Sequence, residues 1–572
     1  MTAPPSVLDR IPVVRMVRSY RRDYVRYDVV AGLVLATMLI PQGMAYAELT
    51  GLPAVTGIYT TIAALIAYAL LGPNRQLVLG PDSSLAPVIA VVILPLAAGD
   101  AATAVILASA LSIIAGLVCI AAGYLRLGVI TELLSKPIRI GYLNGIAVIV
   151  LVSQLPKALG FSVDAGSSVE TFLAVLGGVF DGETVGAALA LSAGSVLTIV
   201  GLRRISRTIP GVVVAAVGSI VAVALFDLID RGVQVVGDIP SGLPPLTIPT
   251  FDASLLPTLI GGAVAVALVS FADTGALSTA TALKSGTRVD PNSEIKALGS
   301  ANLLSGMFQG FPTSASSSRT AVAMAVGSKT QMTGLIAAAG VILIILLAPG
   351  IIAEMPSPTL AAIVITASFT LFDWGGTMWL LKIRRSEFLM SLGAFLGVVL
   401  VGILEGIVIA ILLSIGNFVR KAWWPHSTEL GKVEGVPGYH DIERHPSAKV
   451  IPGLLMLRFD APLFFANAPT FGRRLQERLR SADRDIDTVL VVGNAITDID
   501  TTGAEILGDV LHDLDKRGIA FAFAGLKGPV KDRLKTYGLY ERIGDENFHA
   551  NTISAVKKRK RDLKKHDEDP AT

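Results

Sequence analysis

The sequence predicts an all-α polytopic membrane domain of fourteen spans, arranged as two inverted seven-span repeats, followed by a small α/β domain on the cytoplasmic side. Three observations carry this. Apolar runs of roughly 20 residues, the length a helix needs to cross a bilayer, recur from about Tyr27 to Arg420. Lysines and arginines collect in alternate breaks between the runs, as they do in cytoplasmic loops. Two interrupted segments, each led by glycine and proline, stand at matching places in the two halves, which is the mark of an inverted repeat.

Composition sets the zones. Of 572 residues, 52% are hydrophobic and 16% charged, where a soluble domain has roughly 25% charged. The charges crowd into the first 26 and the last 150 residues. A basic cytoplasmic segment (1–27) therefore precedes a transmembrane domain (28–420) and a soluble tail. The basic segment holds Arg10, Arg15, Arg18, Arg21, Arg22 and Arg26 but no short apolar stretch with a small-residue cleavage site, so the first apolar run is expected to stay as a helix. The net charge of +3 is too small to call for nucleic acid as a partner. Cys119 is the single cysteine and sits in an apolar run, which excludes a disulfide framework and a thiolate metal site; no metal or cofactor is expected.

The first seven expected spans lie near 28–47, 54–72, 78–99, 101–123, 138–155, 183–202 and 209–228. The second seven lie near 256–282, 292–309, 313–327, 332–353, 357–373, 387–403 and 405–419. With the first 27 residues inside, the cytoplasmic loops hold Arg75; Arg126, Lys136 and Arg139; Arg203, Arg204 and Arg207; Lys284, Arg288 and Lys296; Lys329; and Lys382, Arg384 and Arg385. The outer loops hold only Lys157 and Arg231. A miscount by one would invert every later loop, so the unbroken alternation supports fourteen spans with both ends cytoplasmic.

Leu79-Gly80-Pro81-Asp82-Ser83-Ser84-Leu85-Ala86-Pro87 opens the third span, and Gly310-Phe311-Pro312-Thr313-Ser314-Ala315-Ser316-Ser317-Ser318-Arg319-Thr320 opens the tenth, the third of its repeat. Each joins a non-helical stretch to a helix start rich in capping residues. A helix that begins at membrane depth turns unpaired N–H groups and the positive end of its dipole toward whatever lies in front of it. Arg319 adds a full charge, which costs several kcal/mol at that depth unless it lines a polar cavity or has a partner. Together these features describe an anion site; proline-kinked structural helices are the alternative.

At this point the chain resembles the SulP anion transporters. Leu39-Ile40-Pro41-Gln42-Gly43-Met44-Ala45-Tyr46-Ala47 is similar to that family's first-span motif, and Gly51-Leu52-Pro53 with Gly57-Ile58-Tyr59-Thr60-Thr61 to the signature that follows it. Ser316 to Thr320, continued by Gly327-Ser328-Lys329-Thr330-Gln331, resembles the tenth span and its continuation; Gly72-Pro73-Asn74-Arg75 departs from the usual pattern but keeps the basic residue. The resemblance implies a core domain of spans 1–4 and 8–11 that moves against a gate domain of spans 5–7 and 12–14, in a homodimer. Arg319 and Ser318, with Ser317 beside them, match the positions next to the bound anion. Gln42 and Tyr46, four residues apart and so on one helix face, match positions lining the same pocket, and Ser83 and Ser84 would add hydroxyls or amides. The alternatives are a structural ion pair for Arg319 and interhelical hydrogen bonds for Gln42 and Tyr46.

Asp273 is the only carboxylate of the eighth span. The resemblance implies a coupling-ion role, and Leu277 one turn later offers no oxygen, which favours a proton over sodium. A permanent Asp273–Arg319 ion pair is the alternative.

The tail alternates strand and helix: strands at Gly453–Phe459, Thr488–Val492 and Ala520–Ala524, helices at Pro469–Ser481 and Thr502–Arg517. Asp460 to Ala468 resembles the opening of a STAS domain, placed at 447–556 after a linker at 421–446. Asp500-Thr501-Thr502-Gly503 resembles the loop that carries a phosphate in signalling relatives, which makes Thr501 and Thr502 candidate regulatory phosphosites, with a plain helix cap as the alternative. Residues 557–572 are expected to be a basic disordered tail able to touch anionic lipid.

The reading is a secondary active transporter, not an enzyme, that carries a small inorganic anion across the plasma membrane. Sulfate comes first and a proton is the coupling ion; bicarbonate, small carboxylates and anion exchange are alternatives. A membrane-anchored anion sensor signalling through the tail is the alternative of another class. A nucleobase carrier of the same fold would lack the tail and have acidic residues in place of Arg319.

Overall fold

The computed structural model describes residues 12–128, 135–163, 167–205, 209–237, 239–240 and 242–568, with side chains to 562. Arg10 and Arg207, counted above among the basic residues, and residues 569–572 of the tail lie outside the described residues. Two compact units emerge, Met1–Ser414 and Ile415–Thr572.

In the first unit a short helix α1 (Pro12–Arg18) precedes α2 (Val25–Leu49), α3 (Ala54–Leu71), β1 (Leu79–Gly80), α4 (Ala86–Ala97), α5 (Ala101–Tyr124), α6 (Lys136–Leu159), α7 (Ser168–Phe180), α8 (Gly186–Ile205) and α9 (Gly211–Phe226). The second half follows with α10 (Leu256–Lys284), α11 (Pro291–Met307), β2 (Ser314–Ala315), α12 (Ser317–Val326), α13 (Met332–Leu347), α14 (Pro349–Ala353), α15 (Ser357–Leu371), α16 (Trp374–Ile383), α17 (Arg385–Leu396) and α18 (Ile403–Trp423). Each of the apolar runs marked in the sequence contains a helix. Among the described residues, eight helical stretches are long and apolar enough to cross a membrane, whereas α4, α7, α9 and α13 are shorter. Helices α7 and α16 were not expected. With 13 and 10 residues they fall below the length that marks a span, and they stand at matching places in the two halves.

Helix α2 packs against α3, α12 and α13, and α11 against both α3 and α5. The α5–α11 contact is close because Gly116 faces Gly299: a Cβ on either would lie 2.6 Å from the other's carbonyl oxygen. Small residues at such crossings let helix backbones approach in a bilayer, where no hydrophobic effect drives them together. A second group forms around α6, which packs on α15 and α17, while α8 packs on α9 and α15.

The two interrupted segments meet. Strands β1 and β2 pair antiparallel, Leu79 opposite Ala315 and Gly80 opposite Ser314. A pairing this short leaves backbone groups that must find partners away from water. Side chains supply them: Thr60 Oγ1 accepts from Phe311 N at 3.0 Å, Asn302 Oδ1 from Thr313 N at 2.7 Å, Thr274 Oγ1 from Ala315 N at 3.1 Å and Thr320 Oγ1 from Val78 N at 3.1 Å.

The Gly327–Gln331 motif also has a structural reason. Asp28, fully buried in the first turn of α2, accepts from Lys329 N at 2.7 Å, Thr330 N at 3.1 Å, Thr330 Oγ1 at 2.6 Å and Thr333 Oγ1 at 3.0 Å. Gln331 Nε2 then donates to the carbonyls of Asn74 and Leu77, at 2.9 and 2.8 Å. One carboxylate thus fixes the link between α12 and α13, and through Gln331 the chain that leads into β1.

In the second unit the sheet has the order β4-β3-β5-β6-β7-β8. Its strands are β3 (Ser427–Gly431), β4 (His440–Asp441), β5 (Gly453–Phe459), β6 (Ile486–Val492), β7 (Ala520–Ala524) and β8 (Phe548–His549). Strand β3 runs antiparallel to β4 and β5, while β5 through β8 are parallel. Helices α19 (Ala468–Ser481), α20 (Thr501–Lys516), α21 (Gly528–Thr536), α22 (Leu539–Ile543) and α23 (Thr552–Glu568) complete the unit. Alternate residues serve the two faces of the sheet. Leu455, Leu457, Val489, Val491 and Phe523 meet Phe471 of α19 and Leu507 of α20, whereas Leu454, Met456, Leu490 and Ala522 meet Ala555 and Val556 of α23.

Two expectations are corrected here. The segment 421–446 is not a plain linker, because it carries the end of α18 together with β3 and β4. Residues 557–568 are helical rather than disordered: α23 continues to Glu568, held by Ala555 and Val556 on the sheet and by Arg559 Nη2 at 2.6 Å from Asp487 Oδ2.

Replacing Asp28 by alanine strands four donors and is expected to cost about 3 kcal/mol, since hydrogen bonds to charged groups are worth the most and orphaned buried donors the most to lose. A melting temperature in detergent equal to the wild-type value would contradict this. In the tail, burial alone would raise the Asp441 carboxyl, but hydrogen bonds from Thr428, Glu443 N and His426 outweigh it and lower it to about 2. A depressed carboxyl stabilises the fold fully above its unfolded value, roughly pH 4, and the contribution drains away as pH falls toward the folded value. Pepsin should therefore cut the wild-type tail progressively faster as pH falls through this window, with a weaker pH dependence in Asp441→Asn.

Candidate anion site

Helices α4 and α12 start from the paired strands, and their first turns face the same region. Ser316 is the residue before α12, and its side chain makes no capping hydrogen bond, so the first amides of α12 stay unclaimed, as at any uncapped helix start. Ser317 and Ser318 are exposed in this first turn, and Ser318 Oγ lies 3.2 Å from Ser316 Oγ.

Arg319 is the largest fully buried side chain among the described residues. Its Nε, Nη1 and Nη2 have no hydrogen-bond partner among the described residues. The nearest carboxylate oxygen is Asp82 Oδ1, 3.8 Å from Nη2, beyond hydrogen-bond range. Gly80 makes room for the guanidinium, since a Cβ there would stand 2.9 Å from Arg319 Nη1.

Tyr46 is buried on α2 and lies within electrostatic reach of Asp82 and Arg319, with Ser83 beside its hydroxyl. Gln42, one turn earlier on the same helix, is buried and its Oε1 has no partner among the described residues. Ser84 Oγ lies 2.7 Å from Asp82 Oδ2 and 3.0 Å from Asp273 Oδ2. The structure therefore joins Arg319, Tyr46, Ser83 and Ser84 through Asp82, and reaches Asp273 through Ser84. It does not join Asp273 to Arg319: the alternative ion pair is corrected, because the carboxylate opposite the guanidinium is Asp82.

Asp82 was in view in the sequence and was passed over. It was read only as one of the capping residues of its segment. The signal available was complementary charge, one acid and one base in two segments that the repeat relates. Glu294 was also passed over; Tyr68 OH and Ser278 Oγ donate to its two oxygens at 2.6 and 2.7 Å, which makes it a buried structural node.

In the tail, Asp500 caps α20, its Oδ1 accepting from Gly503 N at 2.7 Å and its Oδ2 from Phe465 N at 2.8 Å. The capping role thus belongs to Asp500, which leaves Thr501 exposed at the first helical position and Thr502 half-buried after it.

A buried cation between two half-helix starts, inside a repeated bundle, is the arrangement of a membrane carrier for anions. The chain belongs to the sulfate permease family, whose model matches residues 25–394, and a STAS domain matches 445–555. A protein of Mycobacterium tuberculosis named as a probable sulfate transporter is 38% identical over 548 residues, 95% of this chain and 97% of the relative. Another so named, from Arabidopsis thaliana, is 29% identical over 575 residues, 95% of this chain and 83% of the relative. The fold matches the murine Slc26a9 anion transporter in its inward-facing state, with a TM-score of 0.88 at 21% identity over 97% of this chain and 95% of that one. It also matches the transmembrane domain of the cyanobacterial bicarbonate transporter BicA, with a TM-score of 0.60 at 24% identity over 69% of this chain and 99% of that one.

Gly80→Ala tests the geometry without touching a charge. It should raise the half-saturating anion concentration roughly tenfold, about 1.4 kcal/mol, in transport assays on protein that still folds. Unchanged half-saturation would mean that the guanidinium does not need the space at β1.

Proposed function

We propose that this protein carries sulfate across the plasma membrane by proton-coupled alternating access. The observation that carries the reading is Arg319, a permanent charge that is fully buried and has no hydrogen-bond partner among the described residues. A buried cation in this state is costly unless an anion completes its shell. The helix starts of α4 and α12 supply further positive ends, and Gln42, Tyr46, Ser83, Ser84, Ser317 and Ser318 supply neutral donors suited to a small oxyanion. Relatives named as sulfate transporters favour sulfate over bicarbonate or a small carboxylate.

The moving core in this reading is α2–α5 with α10–α13, and the gate is α6–α9 with α15–α18, in fourteen spans with both termini cytoplasmic and two copies per assembly. The two packing groups around α2 and α6 support this partition. Contact between the groups is sparser: α2 touches α9 and α15, and Lys157 Nζ of α6 lies 3.3 Å from Glu48 Oε2 of α2. Asp273 is the coupling carboxylate. Thr501 remains the candidate phosphoacceptor, because a phosphate at the start of α20 would meet the positive end of its dipole. The basic residues before α2 and along α23 suit anionic lipid.

Purified protein in liposomes should accumulate labelled sulfate, faster when the outside is acidic, and Arg319→Ala should abolish uptake. Asp273→Asn should remove the stimulation by the pH gradient. Sulfate binding without flux would instead indicate a sensor, and uptake indifferent to the gradient would remove the proton from the mechanism. Competition by bicarbonate and small carboxylates ranks the substrates.

A further inference from the structure

Asp82 has two different neighbours, one on each oxygen. Oδ1 faces Arg319 at 3.8 Å, too far for a hydrogen bond but close enough for strong attraction where water is sparse. Oδ2 accepts from Ser84 N at 3.1 Å and lies 2.7 Å from Ser84 Oγ. The same hydroxyl stands 3.0 Å from Asp273 Oδ2.

A serine hydroxyl carries one proton. It can therefore satisfy only one of these two carboxylates. The other must face a lone pair, or carry a proton of its own and donate it to Ser84. Carboxylates that share a site bind protons as a pair, with one proton favoured between them.

Charge counting ties this to the anion. With both carboxylates ionised, their two negative charges outnumber Arg319, and each proton they bind shifts the local balance toward an anion. Tyr46 on α2 and Tyr142 and Arg139 on α6 also lie within electrostatic reach of these acids. The tyrosines are neutral and the arginine is permanently charged, so the proton exchange falls to the two carboxylates.

We propose that Asp82 is a tethered anion that holds Arg319 while the site is empty and yields it to the substrate when the Asp82–Ser84–Asp273 bridge takes up a proton. The inference rests on the transporter reading and adds a residue to its coupling. The proton enters from the acidic side with the anion and leaves with it on the other side. Binding of each favours the other by the same factor, as linkage requires. The 3.8 Å gap fits this role: a tight, hydrogen-bonded Asp82–Arg319 pair would be harder for the anion to displace.

The test is sulfate exchange at equal pH on both sides of liposomes holding the full-length protein, measured from about pH 8 to about pH 5.5. Wild-type half-saturation should fall as pH falls. Asp82→Asn should bind sulfate roughly tenfold more tightly than wild type at the alkaline end, as expected for removing a competing charge beside an arginine, and show a flattened pH profile. Asp82→Glu should restore the pH dependence. Ser84→Ala, which keeps both carboxylates, should move the midpoint of the profile.

A merely structural Asp82 would weaken exchange at every pH without changing the profile, and that result overturns the proposal. So does an Asp82→Asn protein with the wild-type profile or, should that variant not fold, an unmoved midpoint in Ser84→Ala. Wild-type protein with no sulfate exchange at any pH would overturn the transporter reading itself, and this inference with it.

Discussion

A full positive charge with no hydrogen-bond partner among the described residues is the constraint around which the membrane unit is built. Arg319 is fully buried, and a guanidinium away from water costs several kcal/mol unless its surroundings compensate. The compensation is deliberately incomplete. Asp82 supplies attraction from 3.8 Å without a hydrogen bond, the neighbouring helix start adds no negative charge, and the nitrogens stay available. A protein selected for stability alone would have closed this pair or replaced it with apolar residues.

The rest of the unit holds that unfinished site in place. Two strands of two residues each cannot stabilise themselves in a bilayer, where every backbone polar group needs a partner. Thr60, Thr274, Asn302 and Thr320 therefore act as backbone substitutes, one from each of the helices α3, α10, α11 and α12. Because these partners come from different helices, the crossing of β1 and β2 is fixed relative to the bundle around it. Asp28 fixes the far end of α12 in the same way, by claiming the backbone that follows it, and Gln331 holds the chain that leads into β1. Rigid elements around a loosely paired charge are what a carrier requires, since the charge must exchange partners while its frame does not change.

Much of this was legible in the sequence, and the reasons differ by residue. Arg319 stood out because a charge in an apolar run is rare, and the segments at Pro81 and Pro312 because proline and glycine break a helical pattern at matching places. That the two segments pair as strands was not legible, since two residues give no periodicity. The carboxylate facing Arg319 was not found, and Asp273 was weighed only as an alternative partner, because Asp273 sits in an apolar helix and attracts notice, whereas Asp82 sits among capping residues that explain themselves. Helices α7 and α16 were invisible to a criterion tuned to span length. In the tail, the strands with long aliphatic runs were found, while β3, β4 and β8 were not: Ser427–Gly431 is mostly polar, and the other two have two residues each. Helix α23 was hidden by its own charge, because it sets just Ala555 and Val556 against the sheet among its described side chains.

The central claim is that the substrate anion completes the shell of Arg319. The most direct measurement is the melting temperature of the detergent-solubilised protein titrated with sulfate, beside the Arg319→Met variant. A ligand that binds only the folded state raises stability with the logarithm of its concentration once that exceeds the dissociation constant. The wild-type melting temperature should climb with sulfate and that of Arg319→Met should stay flat, over a range where chloride at equal ionic strength moves neither. The same sulfate-dependent rise in both proteins would place the anion elsewhere and contradict the assignment.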